Sequence, residues 1–322
     1  MARPEKRRSG SKGKPAQSRR QEQMRQNDRG PDGPSKAHNK PRTGPAPKAG
    51  QTPKSGQAAR SGQAAKAGQA PEPSTSLSTT RKNGYFLHGR HAAEAALNNS
   101  NRDCLNLYAT EKTMPLAKTL ASDRGDLKIT SVSPARLDAT VGPDSPHQGI
   151  VLEVLPIPQM NILDLKPVTG QRNIILMLDQ VTDPHNIGAC LRSAAAFGAR
   201  AIITQDRNSP GETGILARAA QGGLETVPWL RVTNLASSIE MLKEMGYWHA
   251  GMDGQTDISI RHLSMGDDIV LVMGSEGKGL RPLVAKHCDT LVRIPMAPAM
   301  ESLNVSNAAA IALYELSGLA DG

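Results

Sequence analysis

LVMGSEGKGLRPLVAKHCDTLVRIPMAPAMESLNVSN, residues 271 to 307, reads as an apolar strand entering a glycine loop, then a short amphipathic turn of helix. A second strand ending at Pro295 follows, and a proline-bearing loop that feeds a final helix. Glycines at 274, 277 and 279 permit close backbone approach or positive φ, which a Cβ forbids. Pro295 and Pro298 stiffen the second loop. Loops of this kind between buried strands are where a compact ligand binds. Two familiar phosphate signatures fail on spacing. A P-loop needs four residues between its first glycine and Gly-Lys-Ser/Thr, whereas GSEGKG has two residues between its first glycines and a glycine after Lys278. No G-x-G-x-x-G follows an apolar strand either, which removes ordinary dinucleotide binding.

Upstream, NIILMLDQV (173–181) is a continuous apolar run of the kind buried on both faces in a parallel sheet. The loop TDPHN follows, then IGACLRSAAAFG, a helix closed by Gly198. Asn186 to Arg192 thus sit at the carboxyl end of a strand, where open α/β sheets bind ligands. Strands at 199–205, 227–232, 247–253 and 268–274 alternate with helices at 214–223, 234–246 and 305–316. This alternation predicts an α/β fold.

GSEGKGL (274–280), IPM (294–296) and SLNVS (302–306), preceded by DPHNIGACLR (183–192), together resemble the SpoU or TrmH branch of the SPOUT methyltransferases. The resemblance implies a trefoil-knotted α/β domain that transfers a methyl group from S-adenosylmethionine to a ribose 2′-hydroxyl of RNA. It also implies roles for individual residues. Arg192 matches the arginine that engages the target hydroxyl. As a permanently charged fork it suits hydrogen bonding to a developing alkoxide or clamping a phosphate better than acting as a base. Glu276 orients Arg192 or Asn186, and Ser302 and Asn304 cap the last helix and hold polar groups of substrate or cofactor. Gly274, Ile294, Met296 and Leu303 match the cofactor pocket. The family forms homodimers whose two subunits jointly build the site, and the small residues Ala308 to Ala310 are compatible with close helix approach. Two positions depart from the pattern: Pro298 stands for a glycine and Asn307 for a valine.

Residues 1–82 contain no Val, Ile, Phe, Trp or Tyr, and Met1, Met24 and Leu77 are their only large apolar side chains. They hold 19 Lys and Arg against 5 Asp and Glu, which leaves the remainder of the chain at a net charge of −5. Such a segment cannot bury enough surface to offset ordering, so residues 1–83 are expected to form a disordered basic tail suited to phosphate backbones. SGQAAR, SGQAAK and AGQA (55–70) repeat with a period of six, too short and polar for a solenoid unit.

Residues 84–157 alternate short helix and strand patterns, a small α/β unit. YFLHGRHAAEAAL and HQGIVLEV resemble the L30e-type RNA-binding domain that precedes the knot in part of the family. His88, Arg90 and His91 cluster before its first helix, where they can cap it or meet phosphate. His88 and Arg90 are the RNA-binding candidates. Pro156 to Gly170 holds three prolines and reads as a hinge, with the linker at 158–171 and the methyltransferase domain at 172–322. The appended domain points through the resemblance to a guanosine of 23S ribosomal RNA. A tRNA guanosine, or an assembly factor that binds RNA without catalysis, are the alternatives. Cys104, Cys190 and Cys288 lack zinc-ligand spacing, so no metal is expected. No apolar stretch approaches 18 residues, so neither a membrane span nor a secretory core is expected, and the protein is placed in the cytoplasm.

Overall fold

The computed structural model describes residues 75–207, 209–263 and 266–318. The expected disorder of residues 1–74 lies outside the described residues. The small unit comprises β1 (Tyr85–His88), α1 (Arg90–Asn98), β2 (Cys104–Ala109), α2 (Met114–Leu120), β3 (Lys128–Ser131), α3 (Pro134–Val141) and β4 (Ile150–Val154). Its sheet runs β1-β4-β2-β3, with β4 antiparallel to both neighbours and β2 parallel to β3. All five residues of β4 are buried. Helix α3 has no counterpart among the expected elements. Leu137 is its single fully buried residue, so its apolar face leaves almost no periodic trace.

Residues 75–83 also differ from expectation. They lie against the small unit instead of continuing a disordered tail. Leu77 is only 8% exposed and packs with Tyr108, Val132 and Leu137, and Thr80 donates from both N–H and Oγ to the buried Glu153. One buried leucine and one satisfied carboxylate hold a segment whose composition carries no structural signal.

The larger unit comprises β5 (Asn173–Leu178), α4 (Pro184–Ala196), β6 (Ala201–Gln205), α5 (Gly214–Ala220), α6 (Gly223–Thr226), β7 (Trp229–Val232), α7 (Leu235–Glu244), β8 (Trp248–Met252), β9 (Asp268–Met273), α8 (Pro282–His287), β10 (Thr290–Val292) and α9 (Val305–Ser317). Its six strands, in the order β10-β8-β9-β5-β6-β7, are all parallel. β5 sits inside the sheet with every residue buried, as its unbroken apolar run requires. α4 starts at Pro184, earlier than Ile187, because Asp183 caps it by accepting from His185 N–H and proline suits the first turn. The expected helix 214–223 breaks at Gln221 and Gly222, both with left-handed φ.

The two units are fastened together. Arg102, 1% exposed, donates to Glu212 at 2.8 Å and to Glu225 at 2.6 Å, both on the far side of the seam, and to the Leu155 carbonyl. Tyr85 adds its hydroxyl to Glu212, and Asn99 its amide to Glu225. Burial opposes the charge on Arg102, but its bonds to Glu225 and the two carboxylate charges hold its pKa above the ordinary value. The proline-rich segment is pinned as well. Leu165 is buried, its carbonyl accepts from the Tyr247 hydroxyl, and Gln159 accepts from Arg231 N–H. The composition of a hinge therefore clothes a strap, held by Leu165 and Ile162 packed on the larger unit and by the bonds to Tyr247 and Arg231.

Candidate active site

Strand β9 ends at Met273, and the chain then doubles back so that Gly279 N–H bonds the Ser275 carbonyl at 2.9 Å. A Cβ on Gly274 would collide with the backbone of Gly279 and Leu280, so this close crossing demands glycine. Glu276, on the tip of the loop, reaches across to the start of α9. Its Oε1 accepts from Val305 N–H at 3.1 Å and from the Asn304 side-chain amide.

Asn304 caps α9, its Oδ1 accepting from Ser306 N–H at 2.9 Å and from the Ser306 hydroxyl at 2.6 Å. With its oxygen so committed, its Nδ2 must be the donor toward Glu276 and toward Asn186, 3.0 Å away. The facing atom of Asn186 is then its Oδ1, which leaves the Asn186 Nδ2 without a partner among the described residues. The first turn of α4, the glycine loop and the cap of α9, from distant parts of the chain, are joined through these three side chains.

Two cavities flank the joint. One, of about 300 Å³, is walled by Met252, Gly274, Ile294, Met296, Ser302 and Leu303. The other, of about 390 Å³, is polar, with Gln180, Gln205 and Arg207 in its wall; Ser275, Glu276 and Lys278 border both. All four cofactor candidates, Gly274, Ile294, Met296 and Leu303, thus face one space, and Ser302 joins them there without capping the helix. Pro298 lies in the wall of a neighbouring hollow beside Met296 and Met300, and Asn307 is exposed on α9.

Arg192 is not brought to this cluster within one chain. It is exposed on α4, lines neither cavity, and its backbone runs beside Gly223 at the start of α6. His88 and Arg90 also stand apart, in the wall of a small cavity at the seam.

The sequence reading missed Asp179 and Arg281. Asp179, fully buried at the end of β5, accepts from Arg281 N–H at 3.0 Å and from its Nε at 2.8 Å, while the guanidinium also donates to Gln205. This pair ties the far end of the glycine loop to the strand before α4. Its one sequence signal is an aspartate ending an otherwise apolar strand.

Residues 173–314 match the SpoU rRNA Methylase family and residues 86–160 match the family described as RNA 2′-O ribose methyltransferase substrate binding. A Pseudomonas putida protein named 23S rRNA (guanosine-2′-O-)-methyltransferase RlmB is 36% identical over 233 residues, covering 71% of this chain and 94% of the relative. The protein of the same name from Shewanella oneidensis is 38% identical over 239 residues, 71% of this chain and 95% of the relative. Among solved structures, the SpoU methyltransferase AviRb from Streptomyces viridochromogenes, in complex with AdoMet, aligns at a TM-score of 0.65 and 23% identity over 76% of this chain and 92% of that one. An AdoMet-bound rRNA methyltransferase from Sinorhizobium meliloti aligns at 0.63 and 24% over 73% and 87%. Both share the fold.

Proposed function

Because this chain belongs to the SpoU rRNA methylase family, we propose that it transfers a methyl group from S-adenosylmethionine to the 2′-hydroxyl of a guanosine ribose in 23S ribosomal RNA. The observation that carries the reading is Glu276, which stands in the wall shared by an apolar-walled and a polar cavity and is joined through Asn304 to Asn186.

The walls suit the cofactor. Met252, Ile294, Met296 and Leu303 offer apolar faces to a heterocycle, and Glu276 and Glu301 bring negative charge toward a sulfonium. Bound there, S-adenosylmethionine supplies an electrophilic methyl group. The protein's part is alignment, which supplies roughly 7 to 11 kcal/mol of such a barrier. Glu276 and the Asn304 cap fix Asn186 so that its free amide donates toward the ribose, and Lys278 and Arg207 meet the charge of flanking phosphates. Ser302 adds a hydroxyl at the cofactor wall.

Arg192 joins from a second copy of the chain in a homodimer. Its separation from Glu276 within one chain supports this, as do Ile311 and Tyr314, large side chains left exposed on α9. The guanidinium then donates a hydrogen bond to the ribose oxygen as negative charge develops on it. The doubling back of the loop after Gly274, with α9 returning onto α4, supports a trefoil knot. Residues 84–157 serve as an L30e-like RNA-binding domain, 158–171 as connector and 172–322 as the methyltransferase domain. Residues 1–74 bring a surplus of basic side chains suited to a phosphate backbone, and residues 75–83 pack on the small unit. Action on ribosomal RNA supports a cytoplasmic location. No helix among the described residues is long and apolar enough to cross a membrane.

Incubation with radiolabelled S-adenosylmethionine and total RNA, followed by nuclease digestion, tests the reading. Label is expected in 2′-O-methylguanosine from large-subunit RNA. Label in tRNA alone, or none with either naked RNA or ribosomal precursors, overturns it.

A further inference from the structure

We propose that the seam between the two units holds a seat for one backbone phosphate of the RNA substrate, with Arg218 of the methyltransferase unit as its principal cation and the start of α1 as its floor. This deepens the RNA reading above and rests on it. The cavity, of about 160 Å³, is lined by His88, Arg90 and His91 from the small unit, by Gln148, and by Arg218 and Gln221 from the larger one. No carboxylate lines it.

The floor is an open helix end. Gly89 occupies the N-cap of the nine-residue α1 and has no side chain to cap it. Gln148 accepts the Arg90 N–H at 3.1 Å, which leaves the next amides of the first turn facing an acceptor the chain does not provide. Such an end with cations beside it favours an anion. An independent sign comes from His88. It is 4% exposed, lines the same cavity, and its buried Nδ1 has no hydrogen-bond partner. Burial first, then the charges of Arg218 and His147, keep this imidazole below its ordinary pKa. With two arginines and no carboxylate in its wall, the pocket is short of negative charge. The oxygens of a phosphodiester meet the unpartnered His88 imidazole in the cavity wall, the open amides and Arg218 between them. Arg90 is partly engaged by Glu94 at 3.5 Å, so Arg218 is the cation with more to gain.

The seat is coupled to the chemistry through packing. Gly188 of α4 lies so close to α5 that a Cβ would meet the Leu216 carbonyl at 2.5 Å. α5 carries Arg218, and α4 carries Asn186 near its start. A phosphate held by Arg218 therefore fixes the strand relative to the helix that positions the reacting ribose.

The test is the salt dependence of binding to a 23S rRNA fragment, measured on the full chain and on Arg218→Gln, Arg218→Lys and Lys286→Gln. The last removes the same charge from an exposed residue that lines none of the cavities. Loss of one phosphate contact should lower the slope of log affinity against log salt by about one in Arg218→Gln. Its KM for RNA should rise about tenfold with a much smaller change in kcat, and its melting temperature should stay within a few degrees of the parent. Arg218→Lys should restore most of the slope, and Lys286→Gln should keep the parent value. Equal slopes for the parent and Arg218→Gln, or equal losses in Arg218→Gln and Lys286→Gln, overturn the proposal. Because binding is read without turnover, a parent chain that bound RNA yet transferred no methyl group would count against the reaction and leave the slope comparison decisive for the seat.

Discussion

Glu276 Oε1 serves two donors at once, the Val305 amide and the Asn304 side chain, so its loss strands both. Glu276→Ala should lower single-turnover methyl transfer by 10²-fold or more, since a misplaced aligning group costs that much. Because the carboxylate is exposed, melting should shift by only a few degrees. Glu276→Gln keeps an acceptor and should recover part of the rate; quench-flow with labelled cofactor measures both. At Gly274 the expected loss is of the site itself. Gly274→Ala drives a methyl into the Gly279 backbone, and calorimetric titration with S-adenosylmethionine should detect no binding. These residues were legible in the sequence because each belongs to a short motif. Asp179 and Arg281 were not, since a single acid and a single arginine, 102 residues apart, leave no local pattern.

At the level of elements, the strands of the larger sheet were readable because parallel strands buried on both faces write themselves as apolar runs. The break between α5 and α6 was hidden, since AAQGG reads as helix with a terminal glycine. α3 was hidden for the opposite reason, having only one buried side chain. β8 adds a pH effect. His249, fully buried on this strand, lies 3.6 Å from Asp289 Oδ2, too far for a hydrogen bond, with Lys243 and Glu240 nearby. Burial, only partly opposed by Asp289, lowers its pKa to about 4. Between about pH 4 and the ordinary value near 6.5 the unfolded chain binds the extra proton and the folded chain does not. The contribution of this neutral histidine is thus full above about pH 6.5 and is lost as pH falls toward 4. Stability should drop by on the order of 3 kcal/mol across that window. In His249→Phe the drop should shrink, as denaturant titrations at pH 7 and 4.5 would register.

For the molecule as a whole, one arginine binds two domains. Arg102→Leu leaves Glu212 and Glu225 without their cation, and removing one partner of a buried pair typically costs about 3–5 kcal/mol. Calorimetry should show a lower and broader transition, split if the two units then melt separately. Adding Glu212→Gln and Glu225→Gln to it should restore much of the loss. Deleting residues 1–74, rather than 1–82, spares Leu77 and Thr80. The truncated chain should keep its melting temperature while its RNA binding becomes less dependent on salt.

The fastening at Arg102 also bears on how a target is chosen. Two units fastened by these bonds behave as a caliper held at one setting. The span from the seam to the reacting cavity is set by the protein, and the RNA must bring a guanosine to that span by its own fold. An inserted or deleted nucleotide in the target loop would then be rejected even where the bases around the guanosine are unchanged, so selection would act on measured length before it acts on letters.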